Sequence, residues 1–127
     1  MADDQTITIL IADDEPDILE LMVEEFEDNG FEVVSASCGD EGAAIIKDTG
    51  TNIQVVLSDF KMPNGSGMVI LEEVLQMDES NRPDFFFVSG QADIPVQECL
   101  DKGAKKFFTK PFDIDELISD INSLLKK

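Results

Sequence analysis

A chain of 127 residues can hold one domain with a single buried core and is too short for two ordinary ones. With 43% hydrophobic and 29% charged residues, it has the balance of a folded globular protein rather than a disordered one. Nine basic against 28 acidic residues leave a net charge of −19, which repels nucleic-acid phosphates and anionic lipid, so direct nucleic-acid binding is not expected.

The chain contains no histidine, which excludes histidine acid–base catalysis, histidine metal ligands and a phosphohistidine carrier role. Cys38 and Cys99 follow no metal-ligand spacing and read as free thiols. The N-terminus, Met-Ala-Asp-Asp-Gln, lacks the basic-then-apolar pattern of a signal peptide. No apolar run approaches the ~20 residues that span a bilayer. Together these features lead us to expect a cytoplasmic protein with no membrane insertion.

In chain order, a short apolar run is followed by a helical pattern five times. Ile7–Ile11 ends in Asp13-Asp14-Glu15 and precedes Ile18, Leu19, Met22, Val23 and Phe26 at helical spacing. Pro16 suits the first turn of that helix, and Asn29-Gly30 suits its stop. Phe31–Val34 ends in Ser35-Ala36-Ser37, and a helix opens near Asp40, its signal weakened by Gly42. Ile53–Leu57 ends in Ser58-Asp59, ahead of a helix marked by Met68, Leu71, Val74 and Leu75. Phe85–Val88 ends in Ser89-Gly90, with a helix near Asp93 that Pro95 weakens. The brief Phe107–Phe108 ends in Thr109-Lys110-Pro111. After Asp113, a candidate N-cap, come Ile114, Leu117, Ile118, Ile121, Leu124 and Leu125.

Each run is rich in β-branched residues or Phe and too short for a helix, so each reads as a buried strand. Strands alternating with helices imply βαβ units, right-handed crossovers and a parallel sheet covered on both faces. The expected fold is therefore α/β, a doubly wound five-stranded parallel sheet.

In such a sheet, ligands bind beyond the carboxyl ends of the strands. Four of the five runs deliver a charged or hydroxyl group to that edge: Asp13 and Asp14, Asp59, Ser89, and Lys110. Three crowded carboxylates raise one another's pKa unless cations neutralise them. Lys110 and a divalent cation supply the needed charge, and oxygen ligands without His or Cys select Mg2+ over zinc. A carboxylate beside Mg2+, a lysine and a hydroxyl is a set of parts for phosphoryl transfer, with the carboxylate as nucleophile.

Asp13-Asp14-Glu15-Pro16, Ser58-Asp59-Phe60-Lys61-Met62-Pro63, Val88-Ser89-Gly90 and Thr109-Lys110-Pro111-Phe112 resemble the successive motifs of response-regulator receiver domains. The resemblance covers essentially the whole chain. It implies the flavodoxin-like (βα)5 topology with strand order 2-1-3-4-5, and one receiver domain over residues 1–127 with no output domain. It implies that Asp59 accepts a phosphoryl group from a sensor histidine kinase or histidine phosphotransfer protein. Asp14, Asp59 and the backbone carbonyl of Lys61 would bind Mg2+ directly, and Asp13 largely through water. Ser89 and Lys110 would hold phosphoryl oxygens. Phe107 would be the switch aromatic, turning inward as Ser89 is drawn to the phosphoryl group. Lys61 and Gln91 would border the path of the hydrolytic water, and the Lys110-Pro111 peptide would be cis. The chain would catalyse no reaction beyond its own phosphorylation and dephosphorylation. Its output would be a contact with an unidentified downstream protein.

Each residue also has an ordinary explanation. Asp13 and Asp14 suit the start of a helix, Asp59 a turn, and Ser89 a helix entry. Lys110 can be a surface lysine, Phe107 a core residue, and most of the acids a solvated surface. These explanations must place five groups on one edge by coincidence. Two other functions share the topology. A flavodoxin-like FMN protein is disfavoured because Asn64-Gly65-Ser66-Gly67 follows the third run rather than the first, and no Trp or Tyr is present to stack on a flavin. An unphosphorylated pseudo-receiver is disfavoured because the acids and the lysine are all present.

Overall fold

All five apolar runs lie in or against strands of one parallel sheet, ordered β2-β1-β3-β4-β5. The computed structural model describes residues 6–90, 95–110 and 112–125. Its elements are β1 (Thr8–Ala12), α1 (Pro16–Asp28), β2 (Glu32–Ala36), α2 (Gly39–Thr49), β3 (Val55–Asp59), α3 (Gly67–Leu75), β4 (Asp84–Ser89), α4 (Val96–Asp101), β5 (Lys106–Thr109) and α5 (Ile114–Leu125). The fold class and strand order are those expected. The Lys110-Pro111 peptide, Gln91 and Asp93 lie outside the described residues.

β1, β2 and β3 sit one or two residues further along the chain than their apolar runs, and β4 and β5 extend one residue beyond theirs at each end, because ladder pairing sets the strand ends. Ser35 and Ala36 are strand residues, paired with Ile11 and Ala12. Ser58 and Asp59 pair with Phe87 and Val88, so two polar residues continue β3 to the edge of the sheet. Conversely, Phe31 precedes β2 and serves the end of α1. There Phe31 N–H donates to Phe26 O at 3.0 Å, and Gly30 N–H to Glu27 O at 3.0 Å, with Gly30 at φ 91°. This is a Schellman stop, completed by the Phe26 and Phe31 rings packed edge to face at 5.1 Å.

Alternation along the strands sorts the core into two layers. Leu10, Ala12, Val56, Phe85 and Phe87 face one side, against Ile46, Ile70, Leu71, Val74 and Cys99 of α2, α3 and α4. Ile9, Ile11, Val55, Leu57, Phe86 and Val88 face the other, against Met22 and Phe26 of α1 and Leu117, Ile118 and Ile121 of α5.

Gly42, which weakens the sequence signal of α2, has a packing role instead. A Cβ there would lie 2.5 Å from Ile70 Cδ1, so its absence lets α2 settle on α3. That helix is capped by Cys38, whose sulfur accepts from Glu41 N–H at 3.4 Å, while the Glu41 carboxylate accepts from Ser37 N–H at 2.8 Å. Among the described residues both cysteines are free thiols. No described helix is long and apolar enough to cross a membrane.

Candidate functional site

Strand register decides which side chains meet. The last rung between β1 and β3 pairs Ala12 with Ser58, so Asp13 and Asp59 stand together one step further on. By alternation both continue the line of Ile11 and Leu57. On the far side of β4, Thr109 pairs with Ser89, and Lys110 N–H extends that ladder to Ser89 O at 3.0 Å. The carboxyl edge of the sheet thus gathers residues from four strands.

The Asp13, Asp14 and Asp59 carboxylates can each bring an oxygen within 4.8 Å of the others. Asp13 and Asp59 are buried and Asp14 is exposed. Asp13 is held twice: its N–H donates to Ala36 O at 3.1 Å, and its Oδ1 accepts from Glu15 N–H at 2.8 Å. Asp59 ends β3 where Ser58 Oγ donates to its backbone carbonyl at 2.7 Å. Directly beneath, Gly67 opens α3. A Cβ there would lie 2.8 Å from both Ser58 Oγ and the Phe87 ring and would collide with the Asp59 carbonyl.

Lys110 reaches into this cluster. Its Nζ lies 3.1 Å from Asp59 Oδ2, 3.2 Å from Asp13 Oδ2 and 3.1 Å from Glu15 Oε1. Burial alone would lower the pKa of this ammonium, but hydrogen bonds and charges from Asp59, Glu15 and Asp13 outweigh it and hold the value well above the usual lysine range. Burial raises the Asp13 and Asp59 carboxyls above the ordinary aspartate range, and one shared lysine does not offset it. The site is therefore short of positive charge. Three convergent carboxylates, two of them buried and reluctant to ionise, fit a hard divalent cation coordinated by oxygen.

Asp14, Glu15, Asp59, Lys61, Ser89, Gly90 and Lys110 line one cleft of about 250 Å³. All the expected site residues on described positions except Asp13 and Phe107 are in this lining; Asp13 lies just beneath, bonded to Lys110. A larger open depression of about 630 Å³ between α1 and α5 has, among the described residues, Asp115 as its one ionisable lining residue, with neither a lysine nor clustered acids, so we place the chemistry in the smaller cleft. Ser89 is buried at the end of β4, on the alternation of Phe85 and Phe87. Phe107 is half-buried on that same side, its ring stacked on Phe87 at 5.6 Å and tilted toward Phe60 at 6.4 Å. An aromatic row thus joins the residue after Asp59 to the expected switch position.

Glu15 is the site residue that the sequence reading passed over. Its partner Lys110 is 95 positions away, so no local spacing betrays the pair. The available signal was its place as a third acid after β1, at the same edge as Lys110.

Known proteins share both the sequence and the shape. Residues 9–122 match the model of the response regulator receiver domain. The chain is 34% identical over 117 residues to sporulation initiation phosphotransferase F of Bacillus subtilis, covering 92% of each. It is 31% identical to part of the sensor kinase CckA of Brucella abortus, spanning 13% of that protein, and 29% identical to SaeR of Staphylococcus epidermidis, spanning half of it. The structure superposes on one chain of the CheX–CheY complex with BeF3 and Mg2+ from Borrelia burgdorferi with a TM-score of 0.88 at 27% identity, covering 100% of this chain and 96% of that one. A receiver domain from Clostridium thermocellum gives a TM-score of 0.82 at 32% identity, with 92% of each chain covered. This chain belongs to the response regulator receiver domains, and its acidic cleft at Asp13, Asp14 and Asp59 fits the acceptance of a phosphoryl group.

Proposed function

We propose that the chain is a single receiver domain that takes a phosphoryl group on Asp59 from a sensor histidine kinase or histidine phosphotransfer protein. The observation that carries the reading is the 3.1 Å contact between Lys110 Nζ and Asp59 Oδ2 inside a cleft lined by Asp14 and Ser89. Of the two buried carboxylates that meet the lysine, Asp59 is the one that lines the cleft, and a phosphoryl group built on it would extend into that cleft.

In the transfer, an Asp59 carboxylate oxygen forms the new O–P bond. The P–N bond of the donor phosphohistidine breaks, and the imidazole nitrogen keeps the electron pair. Asp13, Asp14, Asp59 and the Lys61 carbonyl are the groups that would hold Mg2+, with Asp13 acting largely through water. When bound, the ion offsets negative charge on the transferring oxygens. Lys110 meets one phosphoryl oxygen and Ser89 donates its hydroxyl to another. The added charge draws Ser89 and Lys110 toward Asp59, and Phe107 shifts over Phe87 into the space beside Ser89. The exposed surface of α4, β5 and α5 changes population as a result, which is the signal a downstream protein reads.

Beyond its own phosphorylation and dephosphorylation the chain catalyses nothing, and it works in the cytoplasm. The test is transfer from a radiolabelled histidine phosphotransfer protein in the presence of Mg2+. Label should move to the wild type and not to Asp59→Asn; equal labelling of the two proteins refutes the reading.

A further inference from the structure

Lys110 has three N–H donors and three carboxylate oxygens within 3.2 Å, so its hydrogen-bonding capacity is already taken up. A phosphoryl oxygen arriving on Asp59 must displace one of these partners. The three are not equally easy to release. The Asp13 side chain is fully buried and fixed by Glu15 N–H, so losing its cation would leave an uncompensated buried charge. Asp59 carries the phosphoryl group itself. Glu15 is 56% exposed against 15% for Lys110, so water can replace the lysine at its carboxylate at small cost.

We propose that Glu15 is a positioning residue whose carboxylate occupies, in the unphosphorylated protein, the Lys110 donor that a phosphoryl oxygen on Asp59 later takes. This inference rests on the assignment of Asp59 as the acceptor. Glu15 acts through Lys110 and in two opposite directions. Its negative charge adds to the field of Asp13, Asp14 and Asp59 that attracts a divalent cation. The hydrogen bond that its carboxylate makes to Lys110, which a neutral amide makes only weakly, competes with an anionic phosphoryl group for that lysine. Position 15 therefore trades affinity for metal against affinity for the phosphoryl group, which a merely structural residue would not do.

The probes are Mg2+ alone and then beryllofluoride at saturating Mg2+, each titrated into the full chain and followed by backbone amide NMR shifts. Relative to the wild type, Glu15→Gln should bind Mg2+ about 2- to 5-fold more weakly and beryllofluoride about 2- to 5-fold more tightly. Glu15→Asp keeps the charge but is one methylene too short to hold Lys110. It should match the wild type for Mg2+ and match Glu15→Gln for beryllofluoride. If the wild type binds beryllofluoride and Glu15→Gln binds it equally or more weakly, the inference is wrong while Asp59 stands as acceptor. If Glu15→Asp behaves like the wild type toward beryllofluoride, charge rather than the lysine contact is at work, and the inference is again wrong. A wild type that binds no beryllofluoride overturns the acceptor assignment, and this inference with it.

Discussion

Lys110 Nζ and Asp59 Oδ2 meet at 3.1 Å although 51 residues separate them in sequence and the whole of β4 stands between their strands. The lysine follows β5, so its chain must cross the end of β4 above Ser89 to reach the end of β3. That crossing binds three strand ends into one cleft and sets the behaviour expected of it.

Metal binding should appear first as stability. Asp13, Asp14 and Asp59 converge only in the folded chain, so Mg2+ favours that state by linkage, by about 1–3 kcal/mol at concentrations well above its dissociation constant. Thermal melts with Mg2+ and with EDTA should differ by several degrees in the wild type, and Asp14→Ala should abolish the difference. Identical wild-type melts in the two conditions would exclude a metal site.

The pH dependence has a definite sign. Burial raises the Asp59 carboxyl above the ordinary range, so the folded chain holds this proton more tightly than the unfolded chain. That contribution is complete below the ordinary value near pH 4 and is lost as pH rises through the raised value. Without metal, Asp59→Asn should therefore melt higher than the wild type at neutral pH, and the gap should close toward about pH 4. A variant that melts lower at neutral pH in EDTA contradicts the electrostatic account.

Gly67 couples the backbone to the acceptor. An added methyl would press on the Asp59 carbonyl, Ser58 Oγ and the Phe87 ring, one backbone group and two fully buried side chains. Gly67→Ala should cost about 1–3 kcal/mol by chemical denaturation and should also slow phosphorylation. Wild-type stability together with a wild-type phosphorylation rate would show that the contact is relieved elsewhere.

The sequence carried the fold because the signals were local. The five apolar runs, Pro16, Asn29-Gly30 and Asp113 each act within a few residues; Asp113 Oδ1 accepts from Asp115 N–H at 2.9 Å at the start of α5. Asp13, Asp14, Asp59, Ser89 and Lys110 were readable because topology sends every strand end to one edge. What escaped was set by partners far along the chain. Ser35 and Ala36 belong to β2 because β1 pairs with them, not because they are apolar. Gly42 looked like a helix breaker because its reason, Ile70, lies in α3. Glu15 was given no role because its reason, Lys110, lies beyond β5.

Lifetime is the property in which single side chains should matter most. Lys61 is exposed and lines the cleft, two residues beyond Asp59, where its long chain can cover the phosphoryl group or orient the attacking water. Lys61→Ala should change the dephosphorylation rate several-fold, about 1 kcal/mol on the barrier, while leaving phosphorylation possible. Decay of the phosphorylated species after donor removal gives the number. An unchanged half-life would take Lys61 out of the hydrolytic path.

The acceptor itself is tested most directly by intact mass. After incubation with Mg2+ and a small phosphodonor such as acetyl phosphate, the wild type should gain the mass of one phosphoryl group. Asp59→Asn, which keeps the shape of the side chain and removes the nucleophilic carboxylate, should gain none. The same gain in Asp59→Asn as in the wild type would place the phosphoryl group elsewhere and contradict the account at its centre.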